Sequence, residues 1–214
     1  MEPEGTMRRP QAGFAAVAAA LLVAHATAGL AQDPGRPAAP PGGTRWVIDI
    51  AHSQIDFRVR HLVGRVRGTF TNWYAVILTD DKDWRHGKVN VTVQTASLST
   101  GNNMRDTDLK SRRFFDVDSF PEMTFLGTGI AASDTTVEII GLLSIKGRTH
   151  PANLKGTYRG IARDDQGHER IAFEASTALD RRDFGINWNS LVGGNTLIGN
   201  EVEISIALEA VRVN

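Results

Sequence analysis

EVEISIALE, residues 201–209, decides the class of fold. Val202, Ile204, Ile206 and Leu208 fall on one side, and Glu201, Glu203, Ser205 and Glu209 on the other. A period of two is the mark of a strand with one buried and one wet face. Working outward, Ile55, Phe57 and Val59 alternate with Asp56, Arg58 and Arg60 in the same way. Val66, Gly68 and Phe70 continue after Gly64, and Val76 and Leu78 follow Asn72-Trp73-Tyr74. Val89, Val91 and Val93 alternate with Asn90, Thr92 and Gln94. Further strands are expected at Glu122–Ile130, Thr136–Ile145, Ala152–Ile161, Glu169–Leu179 and Glu201–Val213, with turns at Thr79 to Gly87, Ala132-Ser133-Asp134, Gly147-Arg148-Thr149 and Asp164 to Gly167. Eight or so antiparallel strands, each with one apolar face, can pack as two sheets or close into a barrel that removes its edges. Composition alone does not choose between them.

The period breaks once, in NNMRDTDLKSRRFFDVDSFPEMTF, residues 102–125. Asn103 is a candidate helix cap with Asp106 three positions on. Asp106 to Lys110 and Asp108 to Arg112 are acid-before-base pairs at helical spacing. A short helix is expected here, linking two β arms, before Pro121 imposes an extended backbone. The loop Asp183 to Asn200 is long and rich in Gly and Asn, as functional loops often are.

Ahead of this pattern, Arg8 and Arg9 precede an apolar run from Phe14 to Val23 and small residues up to Ala31. That is the layout of a secretory signal peptide over residues 1–31, with cleavage after Ala28 or Ala31, by a general or a twin-arginine route. Residues 32–44 read as a flexible Pro/Gly-rich spacer, and 45–214 as one domain. Lys plus Arg and Asp plus Glu both number 24, so charge gives no case for a nucleic-acid partner. With no cysteine, disulfide, thiolate and iron–sulfur chemistry are excluded. No segment after the leader is long enough to span a membrane as a helix.

No nucleophile elbow occurs, and Ser53 beside His52 is a dipeptide rather than a triad. His52 and His61 would face opposite sides of one strand, and the other histidines lack neighbours at ligand spacing, so no metal site is expected. Two charged clusters remain. Arg105 and Asp106, with Arg181 and Asp183, form either a polar mouth that meets a head group or ion pairs that tie the helix and long loop to a barrel end.

The chain also resembles one known family. Trp46-Val47-Ile48-Asp49, His52-Ser53, Phe57-x-Val59-x-His61 and Val66-x-Gly68-x-Phe70 look like the opening of the YceI-like, polyisoprenoid-binding proteins. Arg105-Asp106-x-x-Leu109-Lys110-Ser111, Phe114-Phe115-Asp116, Pro121-x-Met123-Thr124-Phe125, Gly141-x-Leu143-Ser144-Ile145-Lys146-Gly147 and Arg181-x-Asp183-Phe184-Gly185 continue it in order. The resemblance implies a mainly β protein, an eight-stranded antiparallel lipocalin-like barrel with a short helix at one end, exported to the periplasm. It implies a non-catalytic binding protein, without a cofactor of its own, whose apolar tunnel holds an isoprenoid, quinone-like or other long-chain lipid, and it leaves room for a homodimer. The expected tunnel lining is Phe57, Val59, Phe70, Val91, Val93, Phe125, Phe173, Ile204 and Ile206. The alternatives are that these residues fill a solid core, in a stress-linked structural or interaction protein, or that Asp106 or Asp183 works with His52 or His61 in a lipid hydrolase or isomerase. Asp108, Asp180 and His150 depart from the residues common in the family. The two acids make the barrel end more acidic, which argues against an anionic head group.

Overall fold

The computed structural model describes residues 43–80, 87–133 and 135–213, and in it the alternating segments pair antiparallel into a closed ring. The expected signal peptide and residues 32–42 of the spacer lie outside the described residues. The elements are β1 (Gly43–Ile48), β2 (Gln54–His61), β3 (Gly64–Phe70), β4 (Trp73–Asp80), β5 (Lys88–Gln94), β6 (Leu98–Ser99), α1 (Asn103–Lys110), β7 (Glu122–Ser133), β8 (Thr136–Ile145), β9 (Arg148–Arg163), β10 (Glu169–Asp180), β11 (Leu191–Val192), β12 (Asn195–Thr196) and β13 (Ile198–Val213). The eight staves run β1-β4-β5-β7-β8-β9-β10-β13, and β13 pairs back onto β1. Barrel, not sandwich, is therefore the solution adopted.

Interrupted strands make the ring uneven. β13 pairs with β1 through Ala210–Val213 and with β2 through Ile198–Ala207, so β1 and β2 lie in tandem along one neighbour. Between them Asp49 caps a short 3-10 turn, its carboxylate accepting from the Ala51 amide. β3 and β4 are likewise consecutive, as β2's and β1's respective partners.

Several boundaries differ from those expected. β1 takes in Gly43 and Thr44, so two residues of the spacer belong to the barrel. In β4 the inward face is Trp73, Ala75, Ile77 and Thr79, not Val76 and Leu78; the Trp46 indole N–H donates to Thr79 Oγ1 at 3.1 Å. The turn before β9 is Lys146-Gly147, both at positive φ, which frees Arg148 and Thr149 for the strand. β9 thus begins four residues before Ala152 and runs through Pro151. A proline is tolerated there because β9 pairs with β10 only from Lys155 onward, leaving the earlier part an edge. The hairpin β11–β12 gives the long loop structure of its own.

One end of the barrel is closed by packing. Trp46, Ile77, Val89, Ile130, Val137, Ile139 and Ile171 are buried in one cluster there. Outside it, Arg170 is clamped between Asp49 at 2.7 Å and Asp164 at 2.9 Å. The Arg170 guanidinium, helped by His52 on Asp49 and by backbone amides of His168 and Gln166 on Asp164, holds both carboxyls down to about 2. Carboxyls depressed in the folded state stabilise it above their unfolded pKa, and that contribution is lost as pH falls through about 2. Arg170→Met should therefore move acid unfolding, followed by circular dichroism, to higher pH; an unchanged acid midpoint would show the clamp to be idle.

Candidate functional site

At the opposite end the barrel is hollow. A cavity of about 1040 Å³ lies between the walls, the helix and the long loop. Phe57, Val59, Phe70, Val91, Val93, Phe125, Ile204 and Ile206 all line it. Phe173 does not: it sits lower in the barrel, packed against Tyr158 with ring centroids 5.2 Å apart. It is on the inward face but at the wrong height, in the packed end.

The roof comes from the segment where the strand period breaks. The cap of α1 is Asn102 rather than Asn103, its side chain accepting from the Arg105 amide. That shifts Asp106 one position beyond the capping-box place. Its carboxylate instead reaches back to the Thr100 amide at 2.9 Å and hydroxyl at 2.5 Å. Arg105 binds the same residue, through Thr100 Oγ1 at 2.7 Å and the Thr100 carbonyl at 3.0 Å. Both side chains thus tie the helix to the end of β6. Arg105 also lines the cavity; Asp106 does not. Beyond the helix, Phe114 and Phe115 turn inward, Phe115 meeting Phe70 edge-on at 6.0 Å.

The long loop supplies the remaining wall through Phe184, Ile186 and Trp188. The aromatic pattern of strands gave no signal for Trp188; its loop position hid it. Arg181 holds this loop. Only 5% exposed, it donates from Nε to the Gly199 carbonyl at 2.9 Å and from Nη1 to those of Ile186 and Trp188 at 2.6 and 2.8 Å. Burial pushes its guanidinium below the usual value, opposed by nearby Asp180. Asp183 is exposed and away from the cavity, its amide closing a turn onto the Asp180 carbonyl. Of the four expected mouth residues, the two arginines border the cavity and the two aspartates do not.

The expected acidity of this end is cancelled. Asp108 pairs with Arg113, not Arg112, because the helix stops at Lys110 and the chain swings back. Arg113 also lies over the Trp188 ring at 5.1 Å. Asp180 pairs with Arg182 at 2.5 Å, which holds its carboxyl down to about 2. His61 reaches the cavity, whereas His52 and Asp183 do not, so no acid–base pair of the kind considered above converges there. Asp49, His52 and Glu209 have ligand atoms within 4.8 Å of one another, as a metal site would. Arg170, however, lies 2.7 Å from Asp49 and 3.7 Å from Glu209, filling the place of a cation with a guanidinium.

A small antiparallel barrel, packed at one end and hollow and apolar at the other, is the class that these features define. Residues 46–210 match the model of the YceI-like domain, and the chain belongs to that family. It is 34% identical over 145 residues to a UPF0312 protein of Pseudomonas savastanoi pv. phaseolicola, covering 66% of this chain and 76% of that one. A UPF0312 protein of Staphylococcus aureus is 29% identical over 169 residues, covering 78% and 96%. Among crystal structures, the Campylobacter jejuni YCEI protein superposes with a TM-score of 0.63 at 28% identity, covering 72% of this chain and 90% of that one. A polyisoprenoid binding domain from Saccharophagus degradans shares the fold at a TM-score of 0.60 and 12% identity, covering 78% and 97%.

Proposed function

We propose that this protein is an exported, non-catalytic carrier or sequestering protein for a long-chain amphiphile of isoprenoid, quinone-like or fatty type. The observation that carries this reading is the hollow end of the barrel, about 1040 Å³ of space walled by apolar side chains from strands all round the ring. Each buried CH₂ is worth about 0.8 kcal/mol, so one five-carbon isoprene unit offers roughly 3–4 kcal/mol before ordering costs. A few such units suffice for firm binding without any special polar group. The fold shared with a polyisoprenoid binding domain supports an isoprenoid chain in particular. Arg105 borders the cavity, and with Asp108 and Asp180 already paired it favours a head group rich in carbonyl, hydroxyl or phosphate oxygens. The leader pattern between Arg8 and Ala31 supports a periplasmic location.

Delipidated protein incubated with a polyprenol or a long-tailed quinone should bind one molecule per chain and return it chemically unchanged. Accumulation of a hydrolysed or isomerised product, lost in an Asp106→Asn variant that still binds, would replace the carrier with an enzyme.

A further inference from the structure

The mouth of the cavity is ringed by apolar side chains that the barrel does not need. At the tip of the β2–β3 hairpin, Leu62 is exposed and Val63 fully so. Met104, on the first turn of α1 and part of the cavity lining, is 85% exposed. Leu191 and Val192, in the β11–β12 hairpin, are exposed as well. The two hairpins are joined side by side. The Leu62 amide donates to the Leu197 carbonyl at 2.8 Å, and Arg60 reaches Thr196 Oγ1 at 3.2 Å.

Two further observations single out the β2–β3 tip. Leu62 adopts φ 52, a left-handed conformation that glycine or asparagine takes readily and a leucine does not. An apolar side chain is thus kept where the backbone favours another residue. Directly behind the tip, the outer face of the hairpin carries Arg58 opposite Arg67 and Arg60 opposite Arg65. All four are exposed. Like charges set directly across a strand pair destabilise it. Among the described residues one ion pair answers them: Glu203, beside Arg58 on β13, pairs with Arg65 at 2.5 Å, while Asp56, on the same face of β2, lies opposite Thr69. Arg60 donates to the Leu62 carbonyl at 3.1 Å, pinning the tip, and Arg58 and Arg67 have no carboxylate partner among the described residues.

An apolar tip backed by a cationic band matches a bilayer interface, with the tip among the upper acyl chains and the arginines level with anionic head groups. We propose that the protein docks through this rim onto an anionic phospholipid surface, with the cavity mouth turned to the bilayer. A ligand with a long apolar tail then passes between membrane and barrel without crossing water. The purpose of docking rests on the carrier reading; its measurement does not.

The test is co-sedimentation of the purified protein with phosphatidylcholine vesicles, with and without phosphatidylglycerol. Binding should require the anionic lipid and weaken as salt rises. Val63→Asp, at a position that supports nothing in the fold, should lower partitioning about tenfold or more. Arg58→Gln with Arg67→Gln should lower it about twenty-five-fold, at roughly fivefold for each charge removed. Equal binding to neutral vesicles, or binding that survives both sets of substitutions, would overturn the proposal. So would variants that keep vesicle binding but self-associate, since the arginines would then be guarding the β3 edge, which among the described residues has a second partner only at Thr69 and Phe70. A protein that carries lipid yet ignores vesicles refutes docking alone; one that docks yet carries no lipid refutes the carrier alone.

Discussion

Ile204→Trp combined with Val91→Trp should abolish lipid retention while leaving the barrel folded. Both side chains line the cavity, from different walls, and both are only half-buried because they face empty space. Two indoles placed there displace the volume that a lipid tail would take, and they meet few existing neighbours. Overpacking a filled core costs about 1–3 kcal/mol, but filling a void offsets that cost with new contact. Purified variant should hold less than about a tenth of the wild-type lipid, at about 1.4 kcal/mol per tenfold loss in affinity, with little change in thermal midpoint. Wild-type lipid content in a folded variant would put the ligand elsewhere on the molecule.

Arg181→Met should be the most damaging single change at the site. Its guanidinium satisfies the carbonyls of Gly199, Ile186 and Trp188 in a buried setting. Methionine fills similar space but leaves all three acceptors bare, and a buried group without its partner costs about 1–3 kcal/mol. Some of that is recovered by water reaching the loop, so a loss of about 3–5 kcal/mol in urea unfolding is expected. Hydrogen exchange should accelerate first between Phe184 and Leu197, where the loop loses its anchor. Unchanged exchange there would mean that the loop is held by its own hairpin and by the Phe114–Trp188 contact, whose centroids lie 5.4 Å apart.

The strands were legible in the sequence because burial on one side alone forces a period of two, as in residues 201–209. That period states which face a side chain takes, but not its height along the barrel axis. Phe173 shows the difference: it alternates correctly and still lies in the packed end, because register and stagger decide which level a residue reaches. Val76 and Leu78 expose the converse problem. Where both faces of a strand are apolar, alternation cannot assign the inner one, and the choice of Trp73, Ala75 and Ile77 came from pairing with β1.

The mouth was legible by residue type and not by partner. Arg105, Asp106, Arg181 and Asp183 stood out as charged clusters, yet the acids turn to backbone and turns while the arginines reach the cavity. Arg181's partners are carbonyls, which every residue carries and no sequence pattern marks. Asp108 and Asp180 read as added negative charge because Arg113 and Arg182 pair with them only after the chain bends back. The barrel itself, and the family that carries it, emerged from ordered motifs spread across the whole domain.

Mass spectrometry of an organic extract of the purified protein tests the carrier reading most directly. One long-chain lipid per protein chain, isoprenoid or quinone-like, and absent from the extract of the Ile204→Trp, Val91→Trp variant, is the expected result. An extract without lipid, from a protein that also fails to take up a polyprenol or a long-tailed quinone, would contradict it.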